Sequence, residues 1–181
     1  MSLELILGGA RSGKSRYVLQ QALACQQPVA WIATAEAHDD EMQARIERHR
    51  NERPPNWQTL ETPLYLAQAL QKATGDFVVV DCLTLWLTNL LMPADAAYCE
   101  ENRPPAPVEP AQKAPLLIAI AQAAGPVVLV GNEIGLGVIP MGREVRAFVD
   151  ALGRLNQDVA AACQRVTLMA AGLPLTLKET T

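Results

Sequence analysis

At 181 residues with a net charge of −4, the chain is long enough for one domain with a sizeable core and too acidic for a general nucleic-acid or polybasic membrane surface. Half of it is hydrophobic but only 4% is aromatic, so Ala, Leu and Val must pack an ordered α/β chain, and disorder is excluded. Cys25, Cys82, Cys99 and Cys163 form neither a CxxC pair nor a zinc-spaced cluster; with no secretory signal and no apolar run of about 18 residues, a reduced, cytoplasmic protein without stable membrane insertion is expected.

The first apolar run, LELIL (3–7), reads as a buried strand and leads directly into GGARSGKS. Gly8, Gly9, Ala10, Arg11, Ser12, Gly13, Lys14 and Ser15 fit G-x-x-x-x-G-K-[ST], with a strand before and a helical pattern, Ser15–Cys25, after. Glycines let backbone N–H groups close around phosphate without a Cβ in the way, and the helix adds its positive N-terminal end. In such a loop Lys14 reaches the β- and γ-phosphates and the Ser15 hydroxyl ligates Mg²⁺. A glycine turn with a solvated lysine is the bland alternative, and the complete pattern in its required context speaks against it.

VAWIA (29–33) is the second strand, followed by DDEMQARIERHRNERP. Acids open this segment and bases close it, matching both ends of a helix dipole over Asp40–Glu52, before Pro54 and Pro55 stop it. At 100° per residue, Met42, Arg45, Ile46, His49 and Arg53 share one face, while Ala44, Glu47 and Asn51 lie opposite. Periodicity alone reads His49 as a packed edge residue among solvated arginines. An arginine cluster around one imidazole is nevertheless a poor core and a good polyphosphate site. A neutral imidazole is also a competent nucleophile toward phosphorus near pH 7.

A helical pattern at Leu64–Ala73 precedes the third strand, FVVVD (77–81). Its last residue, Asp81, is placed to hold the magnesium shell of a phosphate loop, with Glu133 a second candidate. The segment 92–115 carries six prolines, which predicts a surface loop or mobile insertion over about 93–113, or alternatively a lid. VVLVG (127–131), a long helical pattern at Gly142–Gln164 and VTLMA (166–170) complete the chain. Most of the strands are continuously apolar and alternate with helices, which predicts a single α/β domain over 1–181: a P-loop NTPase-like three-layer fold with a mostly parallel central sheet. The guanine signature N-K-x-D is absent and D-x-x-G occurs only within a helical pattern, so a signalling GTPase is not expected.

Taken in order, GGARSGKS, IATAEAHDDEMQARIERHRNERP, DCLTLWLTNLL, VGNEIGLGVIP and GRLNQ resemble the bifunctional adenosylcobinamide kinase / adenosylcobinamide-phosphate guanylyltransferase family of cobalamin biosynthesis. Only the proline-rich segment lacks a counterpart. The resemblance implies phosphorylation of adenosylcobinamide by ATP or GTP, then transfer of GMP from GTP through a guanylylated histidine, giving adenosylcobinamide-GDP and pyrophosphate. It implies His49 as the nucleophile and Lys14 as the catalytic cation. Nucleotide contacts are implied at Gly8–Ser15, at Ala33, Thr34 and Ala35, at Arg50, Asn51, Glu52 and Arg53, and at Glu61 and Asp81. Mg²⁺ on Ser15 and Asp81, corrinoid partners and a homotrimer with sites at subunit boundaries are implied likewise. Three positions depart from the family: Arg48 precedes His49 where some relatives carry a second histidine, Asp81 replaces a frequent glutamate, and Gly131 a common Ser or Thr. Two rival readings stay open, a P-loop small-molecule kinase without guanylyl transfer and a non-catalytic nucleotide-sensing module.

Overall fold

A computed structural model describes residues 2–73, 77–92 and 110–180. The elements run β1 (Leu3–Gly8), α1 (Lys14–Ala24), β2 (Val29–Ala33), α2 (Asp40–Asn51), β3 (Gln58–Glu61), α3 (Leu66–Lys72), β4 (Phe77–Asp81), α4 (Leu83–Leu91), α5 (Pro110–Ala121), β5 (Val127–Val130), α6 (Arg143–Ala162), β6 (Arg165–Ala170) and β7 (Leu173–Glu179). One sheet orders the strands β3-β2-β4-β5-β1-β6-β7. Every pairing is parallel except β6 with β7, which is antiparallel. All five strands expected from the sequence are present, in the expected α/β arrangement.

The central strands are apolar throughout because both faces are covered. Alternate side chains divide between two clusters: Leu5, Ile32 and Val80 face α3, α4, α5 and α6, whereas Ile6, Trp31 and Val79 face α1 through Val18 and Ala22. Four helices thus cover one face. The other is left to α1 and to the loops at the carboxyl ends of the strands, where an open α/β sheet binds its ligands.

Four elements differ from the sequence reading. β3 is a short, largely exposed edge strand, so its sequence QTLE carries no apolar run. β7 is the opposite edge, and its leucines at 173, 175 and 177 are exposed. α4 is apolar nearly all round, with Leu83, Trp86, Leu87 and Leu91 buried, and so lacks a 3.6-residue stripe. α5 begins at Pro110, so the last four residues of the expected 93–113 insertion are helical. Within it Lys113 Nζ lies 2.6 Å from Asp158 Oδ2, and Leu116 and Ile120 are fully buried. Proline at the first helical position lacks only an N–H that has no partner there, which is why proline content misled. Residues 93–109 lie outside the described residues. Among those described, no helix is long and apolar enough to cross a membrane.

Candidate active site

β1 ends at Gly8, and the chain turns through the glycine loop into α1. Gly13, the residue that starts this helix, has φ 101°. A Cβ there would approach Gly172 Cα to 3.0 Å, and one on Gly8 would come within 2.6 Å of both Met169 O and Ser12 Oγ. The loop is therefore pressed against β6 and the β6–β7 turn, where Gly172 N donates to Ser12 O at 2.9 Å. Lys14 is 8% exposed, and its Nζ donates to Gly8 O at 2.8 Å and Gly9 O at 2.7 Å. Its ammonium thus sits at the centre of the loop. Burial lowers the Lys14 pKa; Cys82 and Asp81 oppose the shift, and Arg45 adds to it. Ser15 is half-buried in the first turn of α1, while Ala10 and Arg11 are exposed at the rim.

Strand register sets a row of residues beside this loop. Asp81 pairs with Ala33, and Ala33 pairs with Glu61, so the three lie side by side at the carboxyl edge. The same row continues through Val130 to Ile6 on β1, two residues before Gly8, so Glu61 and the glycine loop stand four strands apart. Backbone polar groups fix the row: Thr34 N donates to Asp81 O at 3.1 Å. The Thr34 hydroxyl donates to Cys82 O at 2.7 Å and accepts from Cys82 N at 2.8 Å. Asn89 Nδ2 donates to Thr34 O at 2.8 Å. After β5, Asn132 N donates to Thr84 Oγ1 at 2.7 Å, and Asn156 Nδ2 donates to Asn132 O at 3.1 Å. Glu133 N then reaches Gly8 O at 3.1 Å. Gly131 is tightly seated, since a Cβ would meet Leu7 Cδ2 at 3.1 Å and Asn156 Oδ1 at 3.3 Å. Asn89, Thr84 and Asn156 fell within the quoted motifs without an assigned role; they anchor the loops that carry the site.

Helix α2 begins where Asp39 caps it, its carboxylate accepting from Met42 N at 2.7 Å. Of the face expected from the sequence, Met42, Ile46, His49 and Arg53 are half-buried, and Arg45 is exposed. No α2 residue is fully buried. His49 Nδ1 lies 3.7 Å from Asp81 Oδ2. Arg50 forms an ion pair with Glu61. Arg53 Cζ stands 4.6 Å over the Trp31 ring, and burial lowers its pKa, with Asp81 the strongest opposing influence. One carboxylate, Asp81, therefore acts on Lys14, His49 and Arg53 together. Asn51 and Glu52 are exposed on the turn between Arg50 and Arg53. The other histidine, His38, faces Glu36 at 3.6 Å.

Among the described residues no group of three or more His, Cys, Asp or Glu side chains could hold a metal ion. One hydroxyl (Ser15) and one carboxylate (Asp81) instead suit Mg²⁺, which keeps waters and takes substrate phosphate oxygens rather than an all-protein cage. A groove of about 490 Å³ between β3 and α3, lined by Thr59, Glu61, Thr62, Tyr65 and Gln68 among others, meets the site only at Glu61.

A glycine cradle at the end of β1, a lysine within it, a carboxylate at the end of β4 two strands away and a mostly parallel sheet define a P-loop nucleotide-dependent protein. The fold agrees: an ATPase from the type III secretion system of pathogenic bacteria superposes with a TM-score of 0.56 at 11% identity, over 97% of this chain and 56% of that one. The family is given by sequence. The profile described as "Cobinamide kinase / cobinamide phosphate guanyltransferase" matches residues 4–177. The "Bifunctional adenosylcobalamin biosynthesis protein CobP" of Pseudomonas aeruginosa is 47% identical over 177 residues, covering 97% of this chain and 96% of the relative. The "Bifunctional adenosylcobalamin biosynthesis protein CobU" of Salmonella typhimurium is 39% identical over 180 residues, covering 96% and 98%. The chain belongs to the cobinamide kinase / cobinamide phosphate guanyltransferase family and is an enzyme of that type.

Proposed function

We propose that this enzyme runs two reactions with one glycine loop and that His49 is the covalent nucleophile of the second. The observation that carries the reading is His49 facing Asp81 at 3.7 Å, with Asp81 also acting on Lys14. In the kinase step the terminal hydroxyl of adenosylcobinamide attacks the γ-phosphorus of ATP or GTP. The bond to the β–γ bridging oxygen breaks, and Lys14 stabilises the charge that gathers there. Mg²⁺ held by Ser15, Asp81 and phosphate oxygens would supply further charge neutralisation when bound.

In the guanylyl step Nδ1 of His49 is turned to Asp81, which leaves Nε2 to attack the α-phosphorus of GTP. The Nε2–P bond forms, the bond to the α–β bridging oxygen breaks, and pyrophosphate leaves. A phosphate oxygen of adenosylcobinamide phosphate then attacks the same phosphorus, the P–N bond breaks, and adenosylcobinamide-GDP is released. The covalent step divides one difficult displacement into two easier ones. Arg50, Asn51, Glu52 and Arg53, with Ala33, Thr34 and Ala35, line the nucleotide between loop and base, and Glu61 meets its far end.

The working form in this reading is a cytoplasmic homotrimer. Leu136, Val138, Ile139 and Met141 after β5, and Leu173, Leu175 and Leu177 on β7, are largely exposed apolar side chains of the kind an assembly covers.

The test is labelling with GTP carrying a radioactive α-phosphate. Wild-type protein acquires label that is labile in acid and stable in base, as a P–N bond is, and releases pyrophosphate. His49→Ala loses the label, and guanylyl transfer falls by at least about 10³-fold, while kinase activity persists. Label retained in His49→Ala, or mapped to His38, overturns the nucleophile assignment.

A further inference from the structure

Arg53 is half-buried, and its buried Nε has no hydrogen-bond partner among the described residues. Leaving a buried donor unpaired is costly, so contacts other than hydrogen bonds hold Arg53 here. The neighbouring chain supplies two aromatic rings. Trp31 is 2% exposed in the middle of β2. Trp57 is brought alongside by the turn Arg53–Trp57, which Trp57 N closes by donating to Pro54 O at 3.1 Å. The two indoles stack with centroids 5.9 Å apart and planes 14° from parallel, and the Arg53 guanidinium lies over Trp31.

The rings stand on the face of the sheet that also carries α1. Trp31 is two residues before Ala33, whose register partner is Asp81. The guanidinium is thereby held just below the carboxylate row, on the side of the glycine loop. Arginine loses much rotamer freedom when it binds an anion. A π-face that fixes the guanidinium beforehand removes that cost from nucleotide binding.

We propose that Trp31 and Trp57 are positioning residues for nucleotide binding: their stack holds the Arg53 guanidinium in the pose in which it meets a phosphate of the triphosphate. The inference rests on the proposed nucleotide site and adds to it two residues that never touch the ligand themselves. Their effect should run entirely through Arg53. A merely structural role would not.

The experiment measures the GTP dissociation constant by titration calorimetry for wild type, Trp31→Phe, Trp31→Leu, Trp57→Leu, Arg53→Ala and the Arg53→Ala/Trp57→Leu double variant. Trp31→Leu should weaken GTP binding by about tenfold and Trp57→Leu by about threefold, the scale of a partly desolvated cation–π contact. Trp31→Phe, which keeps an aromatic face, should recover most of the loss. In the Arg53→Ala background Trp57→Leu should change affinity by less than about 1.5-fold, since the group it positions is gone. Melting curves identify variants that fail to fold. If Trp31→Leu does, the Trp57→Leu pair decides alone. Wild-type affinity in Trp57→Leu, or an undiminished loss in the double variant, overturns the proposal. Failure of the α-labelled GTP experiment in the wild type would instead overturn the covalent mechanism, and the affinity series still decides the role of the tryptophans.

Discussion

Replacing Asp81 by asparagine separates two tasks assigned to one carboxylate. In the proposed kinase step Asp81 supports the magnesium shell and the charge of Lys14. In the proposed guanylyl step it would also stabilise the imidazole, which would become cationic as Nε2 bonds to phosphorus while Nδ1 keeps its proton. At the observed 3.7 Å between Nδ1 and Oδ2, Coulomb's law gives about 1 kcal/mol in a water-like medium and about 4.5 kcal/mol at an effective dielectric of about 20. The side chains are 27% and 15% exposed, so solvent screening brings the contribution to about 1–2 kcal/mol. Asparagine keeps the volume and removes the charge. Both activities should fall, and formation of labelled His49 should fall by about five- to thirtyfold more than the kinase rate. Single-turnover labelling with α-labelled GTP and a kinase assay on adenosylcobinamide, both at saturating Mg²⁺, measure the two. Equal losses would mean that Asp81 acts only through the metal and Lys14, not through His49. Wild-type rates in both would remove it from the site altogether.

Lys14→Ala should reduce both activities by at least about 10²-fold, because the same ammonium serves the triphosphate in each step; normal guanylyl transfer in this variant would show separate nucleotide sites. Burial pushes the Cys82 thiol up to about 11 and the Cys163 thiol up to about 12. Their thiolate fractions therefore stay small until the pH approaches those values. Peptide mapping after iodoacetamide treatment at pH 8 should find both unmodified in folded protein, and modification there without unfolding would contradict the packing around them.

How much of this was legible beforehand depended on what each element does with its apolar residues. Strands enclosed on both faces announce themselves, so β1, β2, β4, β5 and β6 were readable from runs such as FVVVD. The edges were not. QTLE at β3 pairs with β2 and packs only Leu60 against the core, and LPLTLKE at β7 turns its leucines outward. Backbone pairing leaves little trace in composition, and an exposed leucine resembles loop sequence. α4 failed for the opposite reason: a helix buried nearly all round has no polar face to set its period. Proline content hid the start of α5, although Pro110 occupies the helical position that best tolerates it.

The site was legible where chemistry demands one residue type in one place. Gly13 with φ 101° cannot be replaced without strain, and the lysine and serine after it complete the spacing a phosphate loop demands. The α2 face was legible too, because amphipathic spacing survives in Met42, Ile46, His49 and Arg53. What the spacing lacked was the partner, since Asp81 is 32 residues beyond His49 in the chain and meets it only through sheet order. The tryptophans were illegible for a related reason. Trp31 reads as one more apolar residue of a buried strand and Trp57 as part of a turn; only the β2–β3 pairing, which sets Thr59 beside Trp31, brings the second ring to the first. The aromatic support beneath Arg53 is therefore a product of tertiary register, and its loss should show in how well the nucleotide is held rather than in whether the sheet forms.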